Sequence, residues 1–478
     1  MEDNTVKKNY IYNMIYQVVL IILPIITTPY LARVLGSEGN GTFGYTVSIV
    51  TYFILFGSLG ISLYGQREIA YNQKDIKNRS SVLFELLIIR TITILISSLV
   101  FYFLFCLSSD YSLYYKILLL ELFSTIIDIS WFYQGMEDFK KIVLRNLTVK
   151  LISVLLIFIF IKNYDDLYKY FIIYTSSTLF GSLSLWFGIK KYIVRPNKLR
   201  IKRHVPLIIS LFIPQIAIQI YTVLDKTMLG TILNDMSEVG YYEQSQKIVK
   251  ILLAVITSIS LVMMPRIASN YKDGNIKKIK EYMNSTFKFI FFLSFPLMFG
   301  IMAVSNNFVP LFFGKGYDKV IIILRIICII IPFISISSVI GTQYLLALKK
   351  QKEYTISVII GALINLILNF LLISNYNSIG ASIATVFAEL FVTIIQFYFI
   401  RKDFNLKEIF KSLLKYFLVS LIMFIICFIP NYFITSRIIC LLVQVIIGII
   451  TYFSILIIIK DDFFMNTLKS FLKKFKKQ

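Results

Sequence analysis

Apolar residues run through this chain in stretches of about twenty, separated by short polar connections, and the pattern recurs about fourteen times. A helix rises 1.5 Å per residue, so about 20 apolar residues cross the roughly 30 Å hydrocarbon layer of a bilayer. The stretches predict spans at 9–32, 41–65, 82–107, 112–134, 142–162, 167–189, 205–231, 240–264, 283–304, 317–346, 354–374, 378–400, 410–434 and 437–460. Intervals between spans stay within about 20 residues, too short for a separate soluble domain. The expected fold is all-α, a polytopic membrane protein of about 14 transmembrane helices.

Composition strengthens this reading. Hydrophobic residues fill 57% of the 478 positions and charged residues 16%, with mean hydropathy +0.76, values that a domain with a polar exterior does not show. The net charge of +23 could suggest nucleic acid, but its distribution points to membrane lipids. Most Lys and Arg fall in the N-terminal segment, the even-numbered connections and the C-terminal tail. Positive residues near helix ends stay cytoplasmic, so both termini are expected inside and no nucleic-acid partner is expected. The richest connection carries Lys190, Lys191, Arg195, Lys198, Arg200, Lys202 and Arg203, and orientation together with attraction to anionic headgroups accounts for it. The opening MEDNTVKKNY mixes acids with bases and leads into an apolar run long enough to remain as an anchor, so no cleavable signal is expected.

The inventory of reactive residues excludes several chemistries. Cys106, Cys328, Cys427 and Cys440 lie in or beside apolar spans without CxxC spacing, which indicates neither a disulfide framework nor a metal cluster. His204 is the single histidine, so His-based triads and most zinc chemistry fall away. With no G-x-x-x-x-G-K-[ST] run, the chain has no P-loop for ATP. No cofactor, no metal and no enzymatic activity are expected, and any transport would draw on a gradient or a partner.

The chain also resembles itself at an offset of about 200 residues. LARVLGSEGNGTFGY (Leu31 to Tyr45) joins spans 1 and 2, and MLGTILNDMSEVGYYEQ (Met228 to Gln244) joins spans 7 and 8. Each has an apolar helix end, a Ser-Glu turn (Ser37-Glu38, Ser237-Glu238), then Gly41 or Gly240 and an aromatic. Arg67 and Arg266 each follow that glycine by 26 residues. Six intervening spans return the chain to the same side, so the halves have parallel topology about an axis along the membrane normal, with a site expected at the repeat interface. Two pseudo-symmetric six-helix lobes are predicted, 1–194 and 205–401, followed by helices 13 and 14 and a basic tail in 402–478. Pro24 and Pro214 in the first helix of each lobe permit a bend.

These junctions, with IDISWFYQGMEDFK (Ile127 to Lys140), YTVLDKTMLG (Tyr221 to Gly230) and VGYYEQSQKI (Val239 to Ile248), resemble the Wzx-type flippases of O-antigen, capsule and related polysaccharides. That family belongs to the superfamily of multidrug and toxin extruders and lipid II flippases. The resemblance covers essentially the whole chain. It implies two lobes around a central cavity that opens alternately to either face of a bacterial plasma membrane. The implied cargo is a polyprenyl-diphosphate-linked oligosaccharide, turned to the outer leaflet with no covalent bond changed. A polysaccharide polymerase and a chain-length regulator are the implied protein partners, and one chain with two lobes makes a monomer sufficient.

Charges inside spans are the physical counterpart of that resemblance, because an ionised group near mid-bilayer faces a hydrated cavity or a partner. Cations in both lobes suit an anionic diphosphate. The candidate substrate-binding set is Arg90, Lys226, Lys247 and Lys250, with Arg33 of the first junction. Lys247 and Lys250 share one helical face. Lys150, Lys288 and Arg325 sit nearer helix ends, where snorkelling is expected. Asp225, Glu121, Asp128 and Glu85 are the candidates for ion coupling or intramembrane pairing, with Glu121 and Asp128 placed to pair with Arg90 or Lys150. Trp131, Phe132 and Tyr133 read as interfacial anchors. Two other functions fit the class: a cation-coupled multidrug exporter, which would want a cavity dominated by acids, and a membrane polymerase, which would want a large outer loop.

Overall fold

The computed structural model describes residues 2–196 and 199–475, and for residues 2–18, 20–21, 210–211, 213–215, 217–218, 220–221, 261–262, 467 and 470–475 it describes the backbone alone. Lys198 and the side chain of Pro214 lie outside this description. The predicted stretches lie mainly on helix, with breaks that include Leu59–Gly60 inside 41–65 and Asp128–Ile129 inside 112–134. Among the described residues, 10 helices are long and apolar enough to cross a membrane, two of them each formed from two segments. The chain is a multi-pass membrane protein. It divides into two compact units, Met1–Gly240 and Tyr241–Gln478. The first unit thus takes in the helix that follows the basic connection, beyond the predicted lobe boundary at 194.

The first unit begins with α1 (Glu2–Ser58), two helical segments joined across Gly36 at φ 67 and ψ −177. That left-handed φ favours glycine, and the backbone turns there while staying helical at Pro24. Then follow α2 (Ile61–Tyr71), α3 (Ile76–Phe101), α4 (Ser112–Ile127), α5 (Ser130–Gly135), α6 (Phe139–Phe160), α7 (Leu167–Ser184) and α8 (Val205–Leu233). Asp75 starts α3 by accepting from the Lys77 and Asn78 amides at 3.0 and 3.1 Å. Asp75→Ala is expected to cost about 1 kcal/mol, read as a lowered thermal midpoint of the purified protein.

The core of this unit corrects one expectation. Trp131, Phe132 and Tyr133 are fully buried, packed with Tyr64, Leu83, Leu86 and Leu185, and are not interfacial anchors. Glycine lets α2 and α5 approach closely. A Cβ on Gly65 would lie 2.4 Å from the Trp131 ring, and one on Gly135 would lie 2.6 Å from the Gln66 carbonyl. The Tyr133 hydroxyl donates to Leu185 O at 2.7 Å and accepts from Lys141 Nζ at 2.6 Å, so its polar tip is satisfied inside the unit.

The linker between α7 and α8 is stitched along the start of α3. Arg79 Nε donates to Tyr192 O at 2.7 Å, the Val194 amide donates to Ser80 Oγ at 2.9 Å, and the Arg200 amide donates to Glu85 Oε1 at 2.5 Å. Burial and a hydrogen bond to Asp138 push the Tyr192 phenol above its ordinary value, which keeps it a neutral donor. The stitching ends on a buried cluster. Glu85 accepts from Arg203 Nη2 at 2.8 Å and meets His204 Nε2 at 2.5 Å, while His204 Nδ1 meets the Tyr64 hydroxyl at 2.7 Å. With both ring nitrogens and the carboxylate engaged, a charged group and an imidazole are buried without an orphaned atom.

The two junction turns of the repeat lie back to back within this unit. Asn234, left-handed at φ 52, ends α8 as Gly36 ends the first segment of α1. A Cβ on Gly41 would stand 1.6 Å from Met236 O, and one on Gly240 would stand 2.0 Å from Ser37 O. Backbone therefore meets backbone at the two glycines that the duplicated motif aligns. Gly230 takes the Tyr45 ring in the same way, at 2.2 Å.

The second unit continues α9 (Met236–Lys272) from Tyr241 and adds α10 (Ile276–Phe312), α11 (Asp318–Ile327) and α12 (Ile330–Ser337), which runs on as a π-helix over Ser338–Leu346. Next is α13 (Gln351–Ile400), two segments joined across Asn377 at φ 53 and ψ −135. Then come α14 (Leu406–Phe428), α15 (Pro430–Phe433), α16 (Arg437–Ile458) and α17 (Asp462–Phe475). α14 packs against α10 and α16. Asn307 Nδ2 bonds Asn431 Oδ1 and Gln444 Oε1 at 2.9 and 3.0 Å, meeting the demand that polar groups inside a membrane protein find internal partners. Arg325 corrects a second expectation: its Nε donates to Ser305 Oγ at 2.8 Å, so it ties α11 to α10 in place of snorkelling.

Candidate functional site

A cavity of about 570 Å³ opens within the first unit between α1, α3, α4, α6 and α7. Its charged lining is Arg90, Arg145 and Lys150 against Glu121 and Asp128, with hydroxyls from Ser124, Thr125, Ser153, Ser177 and Thr178.

The site is built on a break in α4. Asp128 leaves the helix with extended backbone, φ −70 and ψ 114, and α5 starts two residues later. Carbonyls at such an end lack an intrahelical partner. The Asp128 carbonyl accepts from Arg90 Nη1 at 2.9 Å and the Ile127 carbonyl from Trp186 Nε1 at 2.7 Å. The Asp128 carboxylate accepts from Ser130 Oγ at 2.7 Å and faces Arg145 Nη1 at 3.3 Å. Two turns earlier, Glu121 Oε2 accepts from Thr178 Oγ1 at 2.7 Å, across to α7. Ser153 and Ser177 join α6 to α7 at 2.7 Å.

Arg90 is engaged only in part. Its side chain is buried, yet Nε has no hydrogen-bond partner. A buried donor left unmade costs about 1–3 kcal/mol. Three cations against two carboxylates leave a formal surplus of one positive charge.

The sequence candidates are distributed unevenly. Arg90, Glu121 and Asp128 come together in this cavity. Asp128, expected to pair with Arg90 or Lys150, gives its carboxylate to Arg145 and only its backbone carbonyl to Arg90. Lys150, expected to snorkel, lines the cavity. Glu85 is held in the linker cluster. Arg33 is exposed on α1, and on α8 Asp225 is buried and Lys226 half-buried. In the second unit Lys247 Nζ lies 3.8 Å from Glu243 Oε1 on the same face of α9, and Lys250 is exposed. Sequence reasoning missed Arg145 and the role of His204. The signal for Arg145 was present, an arginine inside the predicted span 142–162.

The second unit carries an apolar groove of about 380 Å³ between α9, α10, α14 and α16, walled by Phe292, Leu297, Ile301, Val445, Ile449 and Phe453.

The profile of the polysaccharide biosynthesis protein family matches residues 6–271, more than half of the chain. The chain belongs to this family. The profile of the lipid II flippase MurJ matches residues 170–459. A putative O-antigen transporter of Escherichia coli (strain K12) is 28% identical over 84% of this chain and 97% of its own length. The capsular polysaccharide biosynthesis protein CapF of Staphylococcus aureus is 25% identical over 83% of this chain and 99% of its own. Among solved structures, the inward closed conformation of lipid II flippase MurJ superposes with TM-score 0.75 at 22% identity, covering 96% of this chain and 99% of that one. The family member described here therefore has the MurJ fold along nearly its whole length.

Proposed function

We propose that this protein is a flippase that turns polyprenyl-diphosphate-linked oligosaccharide repeat units from the cytoplasmic to the outer leaflet of a bacterial plasma membrane by alternating access, with both termini cytoplasmic. The observation that carries this reading is the full-length likeness to a putative O-antigen transporter. The cavity of the first unit supports it chemically. Arg90, Arg145 and Lys150 supply donors for phosphate oxygens, and the surrounding serine and threonine hydroxyls suit a polyhydroxylated sugar. The groove of the second unit, nearly without polar lining, suits a polyprenyl chain.

In this proposal Arg90 is the principal phosphate contact, and Lys226, Lys247, Lys250 and Arg33 add positive charge along the passage. Asp225, Glu121 and Asp128 serve ion coupling or pairing, and Glu85 pairing alone. The cargo reaches the protein from membrane glycosyl transfer and leaves to a polymerase and its chain-length regulator, and no covalent step occurs on the flippase.

The test is transfer of a fluorescent polyprenyl-diphosphate oligosaccharide across proteoliposomes. Losing one charge-assisted contact of about 1.5–3 kcal/mol corresponds to a fall of about 10- to 150-fold for Arg90→Ala, with Arg90→Lys retaining part of the rate. Transfer by Arg90→Ala at the unmodified rate removes the site assignment. Efflux of cationic drugs with no movement of lipid-linked sugar replaces the whole reading by that of a multidrug exporter.

A further inference from the structure

A groove of about 500 Å³ lies between α3 and the linker, lined by Phe84, Ile88, Ile193, Val194, Pro196 and Leu199, with Lys190 and Arg195 in its wall. It is separate from the cavity around Arg90 and uses none of its residues. Three observations say what it takes.

The first is its construction. The linker lies against α3 through the bond that Arg79 donates and those that Ser80 and Glu85 accept, so the groove is a preformed feature of the unit and needs no ordering on binding.

The second is continuity. Ile92, Leu95, Ile96 and Leu99 of α3 are exposed, and with Ile88 they recur at helical spacing along one face. An exposed apolar stripe on a membrane-spanning helix faces acyl chains. The Phe84–Ile88 wall is the end of that stripe nearest the linker, so a chain lying on α3 leads directly into the groove.

The third is charge. Lys190 and Arg195 are exposed and have no acidic partner among the described residues. Two uncompensated cations at the end of an acyl-chain track match a headgroup phosphate. We infer that this groove binds one anionic phospholipid, its phosphate at Lys190 and Arg195 and one acyl chain along Phe84, Ile88 and the α3 stripe. The occupant is a structural lipid seated between the linker and α3. This inference does not rest on the cargo proposed above.

Native mass spectrometry of the purified full-length protein, titrated separately with phosphatidylglycerol and phosphatidylcholine, tests it. The unmodified protein should retain one phosphatidylglycerol, and the double variant Lys190→Gln/Arg195→Gln should bind it about thirtyfold more weakly, at about 1 kcal/mol per cation near the surface. Lys202→Gln, a loop cation outside the groove, should match the unmodified protein. Equal affinity for the two lipids in the unmodified protein, which needs no variant, overturns the proposal. So does an unchanged phosphatidylglycerol affinity in the double variant. Displacement of the bound lipid by equimolar polyprenyl diphosphate also overturns it, making the groove a cargo site.

Discussion

Replacing Glu85 by alanine is expected to release the linker between α7 and α8 from α3 and to lower the thermal midpoint of the purified protein by about 6–12 °C. The carboxylate is fully buried and receives the Arg200 amide, Arg203 and His204 at 2.5, 2.8 and 2.5 Å. Removing it orphans a backbone amide and one nitrogen of a buried imidazole. Breaking a buried charged pair costs about 3–5 kcal/mol, and the low end applies because the Arg203 side chain is 46% exposed and can turn to water. About 3 kcal/mol in a unit of this size corresponds to that temperature range. Glu85→Gln should lie between the two, since its amide oxygen still accepts from the Arg200 amide. Limited trypsin digestion gives a local readout: cleavage after Arg200, Lys202 or Arg203 should be faster in the alanine variant. A digestion pattern identical to that of the unmodified protein shows that the cluster does not hold the linker.

The second large effect is expected at the paired glycines. In Gly41→Ala the new methyl carbon would stand 1.6 Å from Met236 O, and in Gly240→Ala 2.0 Å from Ser37 O. Neither neighbour is a side chain that can rotate away, so the two backbones must separate. Overpacking of this kind costs about 1–3 kcal/mol, and here the upper end applies. Because each methyl forces the same separation, the double variant should be less destabilised than the sum of the two singles. Gly300→Ala is the control: nothing lies within 4 Å of its Cβ position, and alanine there gains up to about 1 kcal/mol in helix propensity. Thermal unfolding in detergent reads all four proteins. Stability of Gly41→Ala equal to that of Gly300→Ala shows that the two turns do not meet.

Much of the candidate site was legible residue by residue, and its connections were not. Arg90, Glu121 and Asp128 stood out because each is an ionisable group inside an apolar run, which costs too much to be incidental. That Asp128 would face Arg145, leaving Arg90 its backbone carbonyl, depends on where α4 breaks. Nothing in the apolar run announces that break. Trp131, Phe132 and Tyr133 were misjudged for a related reason. Aromatics near a helix end suit a headgroup region as well as a core, and for Trp131 the choice was made by Gly65, which is distant in sequence and opens the space that the ring fills. His204 looked like one more polar residue in a basic connection. Its burial follows from Glu85, 119 positions earlier.

The chain alone determined its solvent. Runs of apolar residues matched to bilayer thickness, short connections rich in positive charge, and two junction motifs about 200 residues apart all belong to local sequence. The hydrophobic effect and the demand for internal hydrogen bonding act on such segments one at a time. The tertiary structure decided which of the many cations meet which carboxylates, where the linker is fastened, and that Gly41 and Gly240 touch. Those are relations between segments, set by how helices pack once each has already formed. Hydrophobic periodicity, the same on every face that meets lipid, carries no record of them.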